Sequence, residues 1–539
     1  MKTRNILLTA MAWMGCAMGI NAQEYLHINS PAGEHCYPLE EIVRITIEDA
    51  VSLTDKMEKD ENITLFTSAL KATGIDKQLT LDVDYNYDAS QYPVYYYKSD
   101  THKEIAVVPT HKMSAYTLFI ETDEVLRNKY GVTDLEGLKA LAKRIYDSTY
   151  PADAGLYDDD VTHPKNPLYR FVAYHILTRD ILSLDRLTGR RFNIEGEIGT
   201  IGIREEKMNP IDWYQTLLPN TLMKCEILTV KKWVGENSTL NNYYLNRRWD
   251  DNYQIRGSEV SESQHETEVI NGRYFYADDL VAFTQDVRDK VQNMLIRMDV
   301  STIFPELTSL GIRLNGNPLR HETQADEEFK YGKNYYFPNG SLDGLKVNHH
   351  GEVVYRRSCI SYCVHQGDDM IAFGDYDIEI KLPPVPFSGE WQIRLGYYVT
   401  DTRGVAQIYL DGEKQGEPID LRISLDDESL LGSSFHEKDY YDLTIEEKVA
   451  EQKFLKEKGF YRGPAGVYYG FGRYQFENLA NTPRRVLCQT YMDSSVEHTL
   501  RIQYTLSITG YNTEFMLDYI ELVPKSVYNV PEGEMESDL

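Results

Sequence analysis

The 539-residue chain carries 84 acidic against 56 basic side chains, a formal net charge of −28. At roughly 100–200 residues per domain this length implies two to four domains. A content of 42% hydrophobic and 26% charged residues excludes wholesale disorder. The acidity, with no clustered Lys and Arg, excludes nucleic acid and anionic lipid as partners. The 41 tyrosines suit exposed strands and amphipathic contact surfaces.

Residues 1–22 read as a secretory signal peptide. Lys2 and Arg4 form a basic start, Ile6 to Ile20 an apolar run too short to anchor, and Ala22 a small residue at the cut. The competing assignment makes Cys16 a lipid-modified first residue, but Trp13-Met14-Gly15 is a poor match to a lipobox. No later stretch approaches ~18 continuous apolar residues, so no membrane-spanning helix is expected. The chain is therefore expected to be exported, to the periplasm, the outer-membrane surface or the medium. Five cysteines remain after the leader, too few for a disulfide scaffold. Cys359 and Cys363 are read as two small residues on one face of a strand.

Residues 23–56 form a small β unit, with Leu26-His27-Ile28, a turn at Pro31-Ala32-Gly33 and period-two Val43 to Ile47. A helix follows, capped by Asn62, with Ile63, Phe66 and Leu70 on one face and Gly74 as its stop. Residues 80–112 are tyrosine-rich and strand-like. Thr133 and Glu136 predict a capping box for a second helix, and Leu168 to Leu177 a third. Strands are predicted at 223–230 and 272–276, an exposed polar insertion at 234–268 and an amphipathic helix near 284–298. Residues 304–335 read as a linker. From 336 to 526 period-two strands dominate: Glu352 to Val364, Tyr376 to Leu382, Trp391 to Thr400, Val405 to Leu410, Thr499 to Leu506 and Phe515 to Val523. Their spacing indicates a β-sandwich. A helical insertion near 443–459 carries a Thr444/Glu447 capping box and a Gly459 stop. The acidic tail 527–539 is expected to fray.

Four segments carry a family resemblance. They are Leu65-Phe66-Thr67-Ser68-Ala69-Leu70 through Gly74, then Tyr116-Thr117-Leu118-Phe119-Ile120-Glu121-Thr122-Asp123-Glu124, then Ala173-Tyr174-His175-Ile176-Leu177. The fourth pairs Tyr214-Gln215-Thr216-Leu217-Leu218 with Asn271-Gly272 and the stretch to Asp278. In this order they make residues 57–303 resemble a fasciclin-type domain. Ile120-Glu121 stands where that family has Ala-Pro, Phe275 where it often has histidine, and the domain carries insertions. The segment Met516-Leu517-Asp518-Tyr519-Ile520-Glu521-Leu522 resembles the last strand of galactose-binding-like jelly rolls. The whole layout is similar to exported fasciclin-domain proteins of Gram-negative, gut-type bacteria whose relatives handle glycans. The implied fold is multi-domain: an α+β fasciclin-like domain followed by an all-β jelly-roll-like sandwich.

That resemblance links Tyr174 and His175 to adhesion. Neighbours on a helix point about 100° apart, so at most one is expected to face the core. Asp153 with Asp158, Asp159 and Asp160 offers oxygen ligands for calcium, but lacks the EF-hand spacing, and a solvated loop is the expectation. His349-His350 and His265-Glu266 lack further metal ligands at usable spacing. No nucleophile-elbow, P-loop or dinucleotide-loop motif occurs. Sugar C–H faces stack on exposed aromatic rings, which makes Tyr397, Tyr441 and Tyr469 candidate glycan contacts beside Tyr174 and His175. Trp391 falls in the alternation of a core strand and is expected to be buried.

The expectation from these residues is a secreted or cell-surface, non-catalytic protein that binds glycan or an extracellular protein, without a required cofactor. Two alternatives stand beside it. One is a glycan hydrolase or lyase, which needs paired carboxylates in a cleft. The other is an architectural surface protein with no small ligand.

Overall fold

In the computed structural model the described residues are 25–30, 33–38, 52–79, 82–83, 87–92, 95–98, 103–189, 211–234, 236–262, 271–313, 334–348, 352–356, 365–366, 368–432, 443–464, 468–469, 473–474, 480–506 and 514–536. The leader, Cys16, Cys359, Cys363, His265, His349, His350 and Tyr441 lie outside them. The chain is multi-domain and rich in β structure. One unit, residues 1–49, contains the antiparallel pair Tyr25–Ser30 and Gly33–Pro38. The second spans residues 50–539.

The first half of the larger unit is organised by a seven-stranded sheet. Its strand Tyr116–Glu121 lies parallel to Gly272–Ala277 and antiparallel to Ile176–Leu177, which bridges onward to Thr216. The four motif segments thus meet around one sheet. Gly272 is required there: its φ is +142°, and a Cβ would come within 2.0 Å of the Tyr116 carbonyl oxygen. Helices Thr64–Thr73, Leu135–Thr149 and Pro167–Tyr174 bury Phe66, Leu70, Leu138, Leu141, Phe171 and Val172 in the same core as the sheet.

Several local expectations are corrected. Asn62 does not cap the first helix; Ile63 occupies that position, and the carboxylate of Asp123 accepts from the backbone N–H of Thr64 and Leu65 at 3.2 and 3.0 Å. Asp134, not Thr133, caps the second helix through Gly137 N–H at 2.8 Å. Within 234–268 the described residues are largely regular strand. The strands Leu222–Val234, Glu236–Trp249 and Ile255–Glu262 make a long meander in which each strand satisfies the backbone of the next. The helix expected near 284–298 is shorter: residues 285–291 are helical, with a π turn at Val287–Val291, and the chain then becomes the strand Ile296–Asp299.

Tyr174 and His175 are both buried, because Pro167–Tyr174 is enclosed on every side rather than amphipathic. The His175 ring sits between the Phe171 carbonyl oxygen, 2.7 Å from Nδ1, and Glu121 Oε2, 2.8 Å from Nε2. Glu121 Oε1 also accepts from Val281 N–H at 2.6 Å. The pair ties a helix end to the strand Tyr116–Glu121 and to the segment after Gly272–Ala277.

The second half stacks two five-stranded sheets over a shared core that includes Trp391, Ile393, Leu395, Ile380, Ile502 and Leu522. Fully burying each aliphatic side chain contributes about 1.5–3 kcal/mol. Trp391 is buried as expected, its Nε1 donating to the Phe387 carbonyl at 3.1 Å. Strands from both halves share sheets. Ile296–Asp299 pairs with Tyr519–Pro524, and Tyr95–Lys98 and Lys103–Val107 continue a six-stranded sheet through Asn334–Tyr336. The span read as a linker contains the helix Pro305–Ser309, whose Leu307 is buried. The helix Ile445–Glu457 carries the Thr444/Glu447 capping box, and Gly459 follows with φ +77°.

A row of charges crosses the first of these sheets. Arg297 and Arg394 face Glu521 in register from its two neighbouring strands. Arg297 Nε donates to Glu521 Oε1 at 2.8 Å, and Arg484 Nη1 lies 3.3 Å from the same oxygen. Burial pushes the Glu521 carboxyl up, but Arg484, Arg297 and Arg394 outweigh it and hold it at about 2. Close by, Asp299 caps a short helix through Ser301 N–H at 2.9 Å, and Asp518 accepts from His365 N–H at 2.8 and 3.0 Å. Burial raises both of these carboxyls well above the ordinary range.

Two predictions follow from these buried groups. Replacing His175 by Ala leaves Glu121 without its ring partner and should cost about 2–4 kcal/mol in urea unfolding; a loss below about 0.5 kcal/mol would contradict the buried role. For Asp299 the folded pKa is raised, so its contribution is present at low pH and lost as pH rises through the folded value. Asp299→Asn keeps the cap and cannot ionise. Its urea midpoint should therefore gain on the unsubstituted protein from pH 4 to 8, and a constant difference would refute the assignment.

Candidate functional site

Three large apolar side chains are exposed at one end of the strand meander. Trp249 is 57% exposed, Tyr253 84% and Ile255 41%. They close the hairpin formed by Glu236–Trp249 and Ile255–Glu262, in which Trp249 and Ile255 are directly paired. Such a cluster is not explained by a lack of core, since the same strands bury Leu245 and Val260.

Local chemistry holds the tip in one shape. Asp250 Oδ1 accepts from the N–H groups of Asn252 and Gln254 at 2.8 and 2.9 Å, and Arg256 Nε donates to Oδ2 at 2.9 Å. The Gln254 N–H and then Arg256 hold the Asp250 carboxyl below its usual range. Tyr253 takes a left-handed conformation, φ +57°, at the apex. Further back, the register slips between Leu245 and Arg248, opposite Gly257 at φ +114°. A Cβ on Gly257 would lie 2.5 Å from the Leu245 carbonyl oxygen, so the bulge demands glycine. Asn246, inside the bulge, turns into the core, where its Nδ2 donates to the Tyr174 hydroxyl at 3.0 Å.

The basic residues beside the tip are matched by carboxylates. Arg247 Nε donates to Glu226 at 2.9 Å, Arg256 pairs with Asp250, and Arg248 pairs with Asp286. The Arg247 guanidinium also lies 5.9 Å from the Trp249 ring centroid. Asp286 is shared with a shallow groove of about 440 Å³ lined by Arg144, Ser148, Gln285, Asp289 and Lys290. The tip thus presents exposed apolar side chains beside arginines that are each paired with a carboxylate, a surface suited to stacking and hydrogen bonding.

The residues singled out in the sequence lie elsewhere. Tyr174, His175 and Tyr397 are enclosed in the two cores. The Tyr174 hydroxyl donates to the Leu222 carbonyl at 3.2 Å, a structural bond. Their assignment as ligand contacts is corrected accordingly, since none meets solvent. Tyr469 lies in the short strand Tyr468–Tyr469, paired with Arg473–Tyr474, and nothing of its side chain is described. The acidic loop is engaged with its own surroundings: Asp153 with Arg170 and Lys165, Asp158 with Lys143, Asp160 with Thr162. Sequence pattern does not mark Trp249 and Tyr253, because their stretch reads as polar. The signal available was aromatic residues flanking the turn Asp250-Asp251-Asn252.

No family model matches the chain, and no curated protein matches it in sequence. Among solved structures it is similar to a Paenibacillus xanthan lyase, at 11% identity and a TM-score of 0.20, over 33% of this chain and 12% of the lyase. It is also similar to a Bacteroides uniformis β-glucuronidase, at 10% identity and a TM-score of 0.18, over 56% of this chain and 27% of that enzyme. The chain spans only a minor part of either protein, and likeness at this level fixes neither family nor activity.

Proposed function

We propose that this is an exported, non-catalytic binding protein that holds neutral glycan on the platform made by Trp249, Tyr253 and Ile255. The observation that carries the reading is the exposure of these three side chains on a tip braced by Asp250 and the Gly257 bulge. An aromatic ring presented rigidly loses little conformational entropy on contact, which is why Trp and Tyr dominate binding hot spots. The mutual pairing of Arg247, Arg248 and Arg256 with carboxylates favours an uncharged partner over an anionic one. The meeting of the four motif segments around one sheet supports a fasciclin-type scaffold behind the platform.

The test is a panel of immobilised neutral and anionic polysaccharides probed with the unsubstituted protein, Trp249→Ala and Tyr253→Ala. Each substitution removes an exposed ring and should leave stability within about 0.5 kcal/mol. Truncating Trp249 should cost about 2 kcal/mol of binding, roughly thirty-fold in Kd. Equal binding by all three proteins would remove the platform from the function. Absence of glycan binding, together with self-association that Trp249→Ala abolishes, would favour the architectural alternative.

A further inference from the structure

A second place in the molecule is built to hold a negative charge. Beyond the helix Lys525–Tyr528 the chain runs as a strap in which residues 531–535 are all exposed and Glu536 is buried. The expectation of a frayed tail is therefore corrected at this residue. The Glu536 carboxylate accepts two parallel hydrogen bonds from Arg394, from Nη1 at 2.5 Å and Nη2 at 2.9 Å. This is the fork geometry by which arginine recognises carboxylates.

Arg394 is fixed on every other side. It is fully buried, its guanidinium lies 3.7 Å from the Tyr461 ring centroid, and its Nε donates to Gln392 Oε1 at 2.6 Å. Glu521 stands 3.7 Å from Nη1 on the far side and is itself shared with Arg297 and Arg484. These contacts to the guanidinium do not involve the strap.

The strap is held far more lightly than the side chain it delivers. Glu532 and Lys453 form a pair at 3.6 Å between two exposed side chains, worth little in water. Glu534 N–H bonds within the strap to the Pro531 carbonyl, and Gly533 takes φ +90°. Apart from the Glu536 carboxylate, the one further hold on that residue among the described contacts is its N–H, which donates to Gln452 Oε1 at 2.8 Å.

We propose that Arg394, Tyr461 and Gln392 form a carboxylate-binding site of which Glu536 is the tethered occupant, displaced when a carboxylate-bearing ligand enters. The ligand chemistry is a free carboxylate, as carried by a uronic acid or an acidic peptide side chain. A tethered competitor acts at an effective concentration of about millimolar, so it sets a threshold that a free ligand must exceed. The site is separate from the aromatic platform and does not depend on that reading.

The experiment titrates acetate, D-glucuronate and N-acetyl-glutamate amide into the full chain and into Glu536→Gln, followed by calorimetry. Glu536→Gln keeps the side-chain size and removes the charge. It should bind at least one probe saturably and at least ten-fold more tightly than the unsubstituted protein. D-glucuronate ahead of the other two identifies a sugar acid, and the glutamate probe ahead identifies a peptide. No binding by Glu536→Gln, or equal binding by both proteins, overturns the proposal. Should that variant fail to fold, hydrogen exchange of the unsubstituted protein decides. Amides of 529–536 should exchange faster in saturating D-glucuronate or glutamate probe, and unchanged exchange overturns the site.

Discussion

The carboxylate of Glu521 is the constraint on which the sandwich half depends. It lies in the strand Tyr519–Pro524, between Ile296–Asp299 and Gly389–Gly396, and each neighbour sends an arginine to it. A buried charge costs several kcal/mol unless it is paired, so a one-residue slip of any of these strands would strand a charge in the core. The row therefore specifies register in a way that Ile and Leu, interchangeable in a core, do not. It also couples distant parts of the chain, because Arg297 belongs to the first half and Glu521 to the last strand.

The same logic separates the two polar centres by sign. Around Glu521 guanidinium groups outnumber the carboxylate they share, and Glu536 brings a second negative charge from the strap. Around Asp299 and Asp518 burial, and then the charge of neighbouring carboxylates, pushes the carboxyls well above their ordinary range. The aromatic tip is different again: its arginines are each paired with a carboxylate, leaving the exposed rings as the distinctive feature. On the proposed readings, stacking at one place and a guanidinium fork at another would let a strongly acidic protein recognise its ligands without a basic surface.

Residues such as Asp123 and Asp134 show where reading by local pattern stops. Both are acidic residues beside helix starts, and the sequence suggested Asn62 and Thr133 in their place. A cap depends on which side chain reaches the free N–H groups. Asp123 does so from a separate helix 58 residues away, at Leu65. His175 is a comparable case. Helical spacing alone allowed one of Tyr174 and His175 to face outward, whereas the sheet on one side and neighbouring helices on the other enclose both.

The sequence alone determined the β-rich character of residues 336–526, the burial of Trp391, the Thr444/Glu447 capping box and the turn at Gly459, since each follows from period, propensity or backbone freedom within a few residues. Only the tertiary structure decided that strands from both halves share sheets, that Glu121 meets His175, that Glu521 gathers three arginines and that Glu536 reaches Arg394. It also decided that Trp249 and Tyr253 stand in solvent while Tyr174 and Tyr397 do not. The physical reason is common to all of these. Burial and charge pairing depend on what packs against a residue, and the charged partners lie from 37 to 224 residues away along the chain.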